Sequence, residues 1–107
     1  MKIYRIAQVI NIYQGRNQYN KSSRFYTTDM EWARQFTQSG LDKEIARFSM
    51  DSNDIYRSDE LPHATDEKSF DKGVMDAKEK GYKALWIDEG VGQPNSIYVL
   101  DKSVLRG

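Results

Sequence analysis

Apolar positions in residues 2–10 fall on both parities: Ile3 and Ala7 share one face with Arg5, Tyr4 and Ile6 share the other, and Val9 and Ile10 continue the run. Side chains along a strand alternate between faces, so the pattern predicts a strand covered on both sides. Residues 11–23 are polar, rich in Asn and Gln, and contain Gly15, which predicts a loop. A short strand is expected at Arg24, Phe25, Tyr26 and Thr27. Thr28 then opens a helix in a T-x-x-E capping box with Glu31. Trp32, Ala33 and Phe36 share one face of that helix, and Gly40 ends it.

A strand is predicted at residues 43–50, carrying Ile45, Phe48 and Met50 on an imperfect parity. The next stretch is turn-rich with a short strand at Ile55 and Tyr56. Thr65 or Asp66 caps a second helix, whose stripe is Phe70, Val74 and Ala77 and which stops at Gly81. Residues 82–88 read as a buried strand, Gly90, Gly92 and Pro94 as a loop, and residues 96–101 as a closing strand. Two strand–helix alternations raise a parallel Rossmann-type sheet. No G-x-G-x-x-G follows a strand, however, and strands outnumber helices. The prediction is one α+β domain over residues 1–107, with a mixed or antiparallel sheet and two main helices.

Composition narrows the functional classes. At 107 residues the chain is long enough for a single core. Hydrophobic residues are 38% and charged residues 30%, so the core must be thin, and seven Tyr, four Phe and two Trp enlarge it by the area each buries. Sixteen basic and sixteen acidic residues cancel, so no general affinity for nucleic acid or acidic membrane is implied. The absence of cysteine excludes disulfides, thiol catalysis and zinc–thiolate sites, and suits a reducing cytoplasm. No apolar run approaches the roughly 20 residues of a membrane span, and the first ten residues are too short and polar for a signal peptide.

Arg5, mid-strand among apolar neighbours, needs a partner. A core carboxylate would make it structural; a phosphate held by its planar fork would make it functional. Arg16, Lys21 and Arg24, interleaved with Tyr13 and Tyr19, form a local positive patch. It reads either as an ordinary solvated loop or as a surface that stacks bases and neutralises phosphates. His63, the only histidine, has no nucleophile pattern beside it and is expected to be incidental. Asp51, Asp54, Asp59 and Glu60 do not match calcium-loop spacing, and no metal site is expected. Asp88 and Glu89 end a strand beside a glycine-rich loop, a place for active-site acids and for plain surface caps alike.

Residues 78–105 resemble the end of the ADP-ribosyltransferase fold. Gly81-Tyr82 after a helix matches its penultimate motif, and the run from Ser96 to Leu105 matches its last strand and the turn beyond. Ile3-Tyr4-Arg5 is similar to the first-strand motif, and Arg24 through Asp29 with Ala33 is similar to the second. The resemblance implies that Arg5 grips NAD, that Tyr26 packs on nicotinamide, and that Ser96 lies in the cleft. The family's catalytic glutamate opens the last strand, where this chain has Ser96. A hydroxyl cannot supply the missing negative charge, and losing one such partner costs on the order of 3 kcal/mol, about a hundredfold in rate. Asp88 or Glu89 would then have to serve as the acid. Two expectations follow: transfer of ADP-ribose from NAD to a macromolecule, or a catalytically inactive module, of the kind small phage or mobile-element proteins use, that binds a host protein. A third, weaker reading is nucleic-acid binding through Arg16, Lys21 and Arg24.

Overall fold

A computed structural model describes residues 8–20 and 22–107. The strand predicted at residues 2–7, with Arg5, and Lys21 lie outside the described residues.

The chain runs β1 (Val9–Gly15), β2 (Phe25–Thr27), α1 (Met30–Arg34), β3 (Ile45–Asp51), β4 (Ile55–Tyr56), α2 (Glu67–Glu79), β5 (Ala84–Ile87) and β6 (Ser96–Val99). Single 3₁₀ turns sit at Asp42–Glu44, Ser52–Asp54 and Lys102–Val104. The strands make one mixed sheet in the order β3-β1-β2-β6-β5-β4. Neighbours are antiparallel except β4 and β5, the parallel pair that α2 connects. This is the α+β architecture with two helices expected from the sequence. Among the described residues no helix is long and apolar enough to cross a membrane.

Several boundaries differ from those predicted. The segment expected to be a loop from residue 11 is strand as far as Gly15. Every residue from Val9 to Gly15 pairs with β3, Val9 opposite Asp51 and Gly15 opposite Ile45. Long-range pairing overrides the polar local composition. Thr28 does not cap α1. Asp29 does, its Oδ1 accepting from the Trp32 N–H at 3.0 Å, while Thr27 Oγ1 accepts from the Asp29 N–H at 3.0 Å. Glu31 is therefore free of the capping box and pairs instead with Arg34. α1 also stops short of Gly40. The N–H groups of Gln35, Phe36 and Thr37 each bond three residues back, which tightens the chain out of the α-helix. The Glu44 carboxylate then accepts from the N–H groups of Gln38, Ser39 and Leu41 and pins the following turn. β6 ends at Val99 rather than Asp101, because Asp101 caps the next turn through the Ser103 N–H. β5 likewise starts at Ala84, with the Tyr82 N–H given to Ala77 at the end of α2.

Each face of the sheet has its own core layer. On one, Leu85 and Ile87 pack with Ala77, Phe70 and Val74 of α2. Phe25, Phe70 and Tyr98 form an aromatic triangle with centroid separations of 5.0, 5.0 and 6.0 Å, tying β2 and β6 to the helix. α2 approaches closely because residue 73 is glycine: a Cβ there would stand 2.2 Å from Pro62 Cγ. On the other face Ile12, Tyr26, Met50, Ile97 and Val99 are buried, with Val104 and Leu105 folded over them. Burying each large apolar side chain stabilises the fold by about 1.5–3 kcal/mol.

β1 and β2 pair at only one position, Tyr13 opposite Thr27. Beyond it the strands diverge, and the side chain of Gln14 fills the gap. Its Nε2 donates to the carbonyls of Phe25 at 2.9 Å and Ser23 at 3.0 Å, standing in for ladder bonds that the backbone does not make.

A candidate ligand cleft beside the β1–β2 divergence

The pairing register places four residues in one row across the sheet. Tyr13 faces Thr27, Thr27 faces Ser96, and Ser96 faces Ile87. Directly opposite residues project on the same side of a sheet, so the Thr27 and Ser96 hydroxyls are neighbours on the face that α1 partly overhangs. There they border a cleft of about 300 Å³, at the lower end of the roughly 300–1,000 Å³ usual for small-molecule sites.

Aromatic rings wall the cleft. Tyr13 and Phe25 come from the diverging strands, and Trp32 and Phe36 from α1 and the turn after it. Trp32 and Phe36 meet edge to face with centroids 5.7 Å apart. The polar side chains at the cleft include Ser96, 6% exposed, Thr27, and Glu89 from the loop after β5. Gly15 makes the floor: a Cβ on it would lie 2.0 Å from the Ala33 carbonyl oxygen, so α1 can rest on β1 only at a glycine.

The structure separates the two acids that the sequence offered as alternatives. Glu89 lines the cleft. Asp88 is turned elsewhere, with Oδ2 3.2 Å from His63 Nδ1 and Oδ1 accepting from the Gly90 N–H at 2.8 Å. Backbone bonds fix this pair: the Asp88 N–H donates to the Pro62 carbonyl, and the Ala64 N–H donates to the Asp88 carbonyl. His63, expected to be incidental, thus has a carboxylate partner from a segment far away in sequence.

Tyr26 borders the cleft, but its ring belongs to the opposite core layer and meets Phe48 edge-on at 5.9 Å. Burial raises the pKa of its phenol, and the nearby Arg16 and Arg24 partly offset that rise. The aromatics of the interleaved stretch separate from one another, and Lys21 lies outside the described residues. Tyr13 turns into the cleft, Tyr19 is 87% exposed, and Arg24 donates from Nη1 to the Val99 and Leu100 carbonyls at 3.2 and 2.9 Å. The acids of the 51–60 stretch serve the backbone in part, Asp51 accepting from the Asn53 N–H.

Sequence reasoning singled out Ser96 and Glu89 and placed Trp32, Ala33 and Phe36 on one helix face without giving that face a role in a site. It missed Gln14 and placed Tyr13 in a cationic loop patch rather than in the cleft; both positions depend on where β1 and β2 part. Compared with known proteins, the chain matches no family model, no curated protein and no solved structure.

Proposed function

We propose that the cleft binds the nicotinamide end of NAD and that the chain is an ADP-ribosyltransferase-like domain acting on a macromolecular target in the cytoplasm. One observation carries the reading: two hydroxyls, Thr27 and Ser96, and one carboxylate, Glu89, border a single small cleft walled by aromatic rings. A flat cationic ring suits such walls, because aromatic faces attract cations, and Glu89 adds a negative charge at the rim. In this reading Glu89 replaces the glutamate that the resembling family carries at the position of Ser96. Its carboxylate opposes the positive charge that develops on the ribose as nicotinamide leaves, and Ser96 and Thr27 orient the sugar by hydrogen bonds.

Calorimetric titration with NAD, together with label transfer from labelled NAD in a lysate, tests this. Wild type is expected to bind. Glu89→Gln should keep affinity within a few-fold and lose at least about a hundredfold in transfer. Ser96→Phe, which fills the cleft, should lose binding while keeping its circular dichroism. A wild-type protein that neither binds NAD nor labels any protein overturns the proposal.

A second reading, a non-enzymatic module that binds a protein, draws on Val91. This residue is fully exposed in the loop beside Glu89, between two glycines with φ of +114° and +79°. If it is correct, a partner captured in a pull-down is lost with Val91→Asp and retained with Glu89→Gln.

A further inference from the structure

Opposite the Thr27–Ser96 face, Arg16 and Arg24 act on the Tyr26 hydroxyl, and Lys102 lies within electrostatic reach of both guanidinium groups. Arg24 and Tyr26 lie two residues apart on β2 and its lead-in, and so project to the same side. Arg24 is locked over the end of β6 by its bonds to the Val99 and Leu100 carbonyls, and the Val99 N–H returns a bond to the Arg24 carbonyl at 2.8 Å. Lys102 follows two residues after Leu100, in the 3₁₀ turn that closes over this face. Arg16, just past the end of β1, is half-buried beside the Tyr26 hydroxyl, and among the described residues its buried Nε has no hydrogen-bond partner. Burial, and then Arg24 and Arg16, hold the Lys102 ammonium below its ordinary pKa.

Compensating acids are few. None of the ion pairs among the described residues involves Arg16, Arg24 or Lys102. One carboxylate, Asp101, interacts with Arg24 while accepting from the N–H and O–H of Ser103. Residues 1–7 and 21, which lie outside the described set, contain no Asp or Glu. Three cations beside one carboxylate leave a net positive charge, which raises the local potential and favours an anion. A buried guanidinium N–H with no acceptor is a donor awaiting one.

We infer that Arg16, Arg24, Lys102 and the Tyr26 hydroxyl form a binding site for the terminal phosphate of a small phosphorylated ligand. The chemistry selects phosphate because planar guanidinium groups and an ammonium match its several oxygens. The shape selects a small ligand. The cations sit together at the end of β6 beside Tyr26 and do not run in the stripe that a nucleic-acid backbone requires. The site lies on the sheet face opposite Ser96, so it stands independently of the NAD reading.

The test is a titration of the full chain with pyrophosphate, with chloride at equal ionic strength as control, followed by calorimetry and by melting temperature. Saturable binding at one site is expected in wild type. Lys102→Met and Arg24→Gln should each weaken it by at least about tenfold, and Ser96→Phe should leave it unchanged. Circular dichroism confirms that each variant folds, and Lys102→Met alters no hydrogen bond recorded in the fold. Stabilisation no greater than chloride gives, or equal binding by Lys102→Met, overturns the inference. A short single-stranded oligonucleotide that binds more tightly than pyrophosphate, with an affinity falling steeply in salt, also overturns it in favour of a nucleic-acid surface.

Discussion

Gly15 and Ala33 are in contact so close that no side chain fits between them: a Cβ on Gly15 would stand 2.0 Å from the Ala33 carbonyl oxygen and 3.0 Å from the Phe36 carbonyl carbon. Both obstacles are backbone and cannot rotate aside. Gly15→Ala is therefore expected to lift α1 from β1, costing about 1–3 kcal/mol by overpacking. Urea unfolding measures the loss. Because Ala33 and Phe36 also border the cleft, the same variant should bind any cleft ligand less well, which separates it from a destabilising change elsewhere. Unchanged stability would mean that α1 does not rest on β1 as described.

Gln14 is buried at 5% exposure, and its amide serves two carbonyls that the ladder leaves unpaired. Gln14→Leu keeps much of the volume and removes the donor. Leaving buried acceptors without partners costs about 1–3 kcal/mol. The measurement is chemical denaturation, and hydrogen exchange should show faster opening in residues 23–27 than in β5. A neutral result would show that water replaces the amide without loss.

Asp101 and Asp42 predict how the fold responds to acid. Hydrogen bonds from Ser103 hold the Asp101 carboxyl below its ordinary pKa, and Arg34 does the same for Asp42. A carboxyl whose folded pKa is depressed contributes stability above its unfolded value, about 3.9, and loses that contribution as pH falls through the folded value. Melting temperature should therefore drop as pH is lowered from about 4. Asp101→Asn should lower the melting temperature at neutral pH and make the acid drop shallower, so that the two curves converge in acid. An unchanged acid limb in the variant would remove Asp101 from the account.

The aromatic triangle predicts coupling between a helix and a strand. Phe70 on α2 and Tyr98 on β6 meet edge to face with centroids 5.0 Å apart. A double-mutant cycle with Phe70→Leu and Tyr98→Leu should return a coupling of about 0.5–1.5 kcal/mol. Additive effects would place the helix elsewhere on the sheet.

Sequence carried some of this well. The stripe of Phe70, Val74 and Ala77, the Asp66 cap and the short Ile55–Tyr56 strand are local signals, and the structure has all three. β1 extends past the predicted end at residue 10 because its polar residues are strand only by virtue of pairing with β3, far away in sequence. α1 was drawn too long because Glu44, outside the helix, fixes the chain that leaves it. At the cleft, Glu89 and Ser96 were visible as a strand end and a motif position. The choice between Glu89 and Asp88 was not visible, since it depends on His63 reaching Asp88 through a bridge between distant segments.

The uneven attachment of β1 has a mechanical meaning. Seven consecutive residue pairs fasten it to β3, and one fastens it to β2. Within the sheet, a β3–β1 ribbon and a β2–β6–β5–β4 panel meet along a spine made of a single Tyr13–Thr27 rung plus the Gln14 amide. On the face away from the cleft, the shared core of Ile12, Met50, Tyr26, Ile97 and Val99 holds the two leaves together. The cleft lies at that spine, so a ligand seated in it bridges both leaves and clasps the book shut.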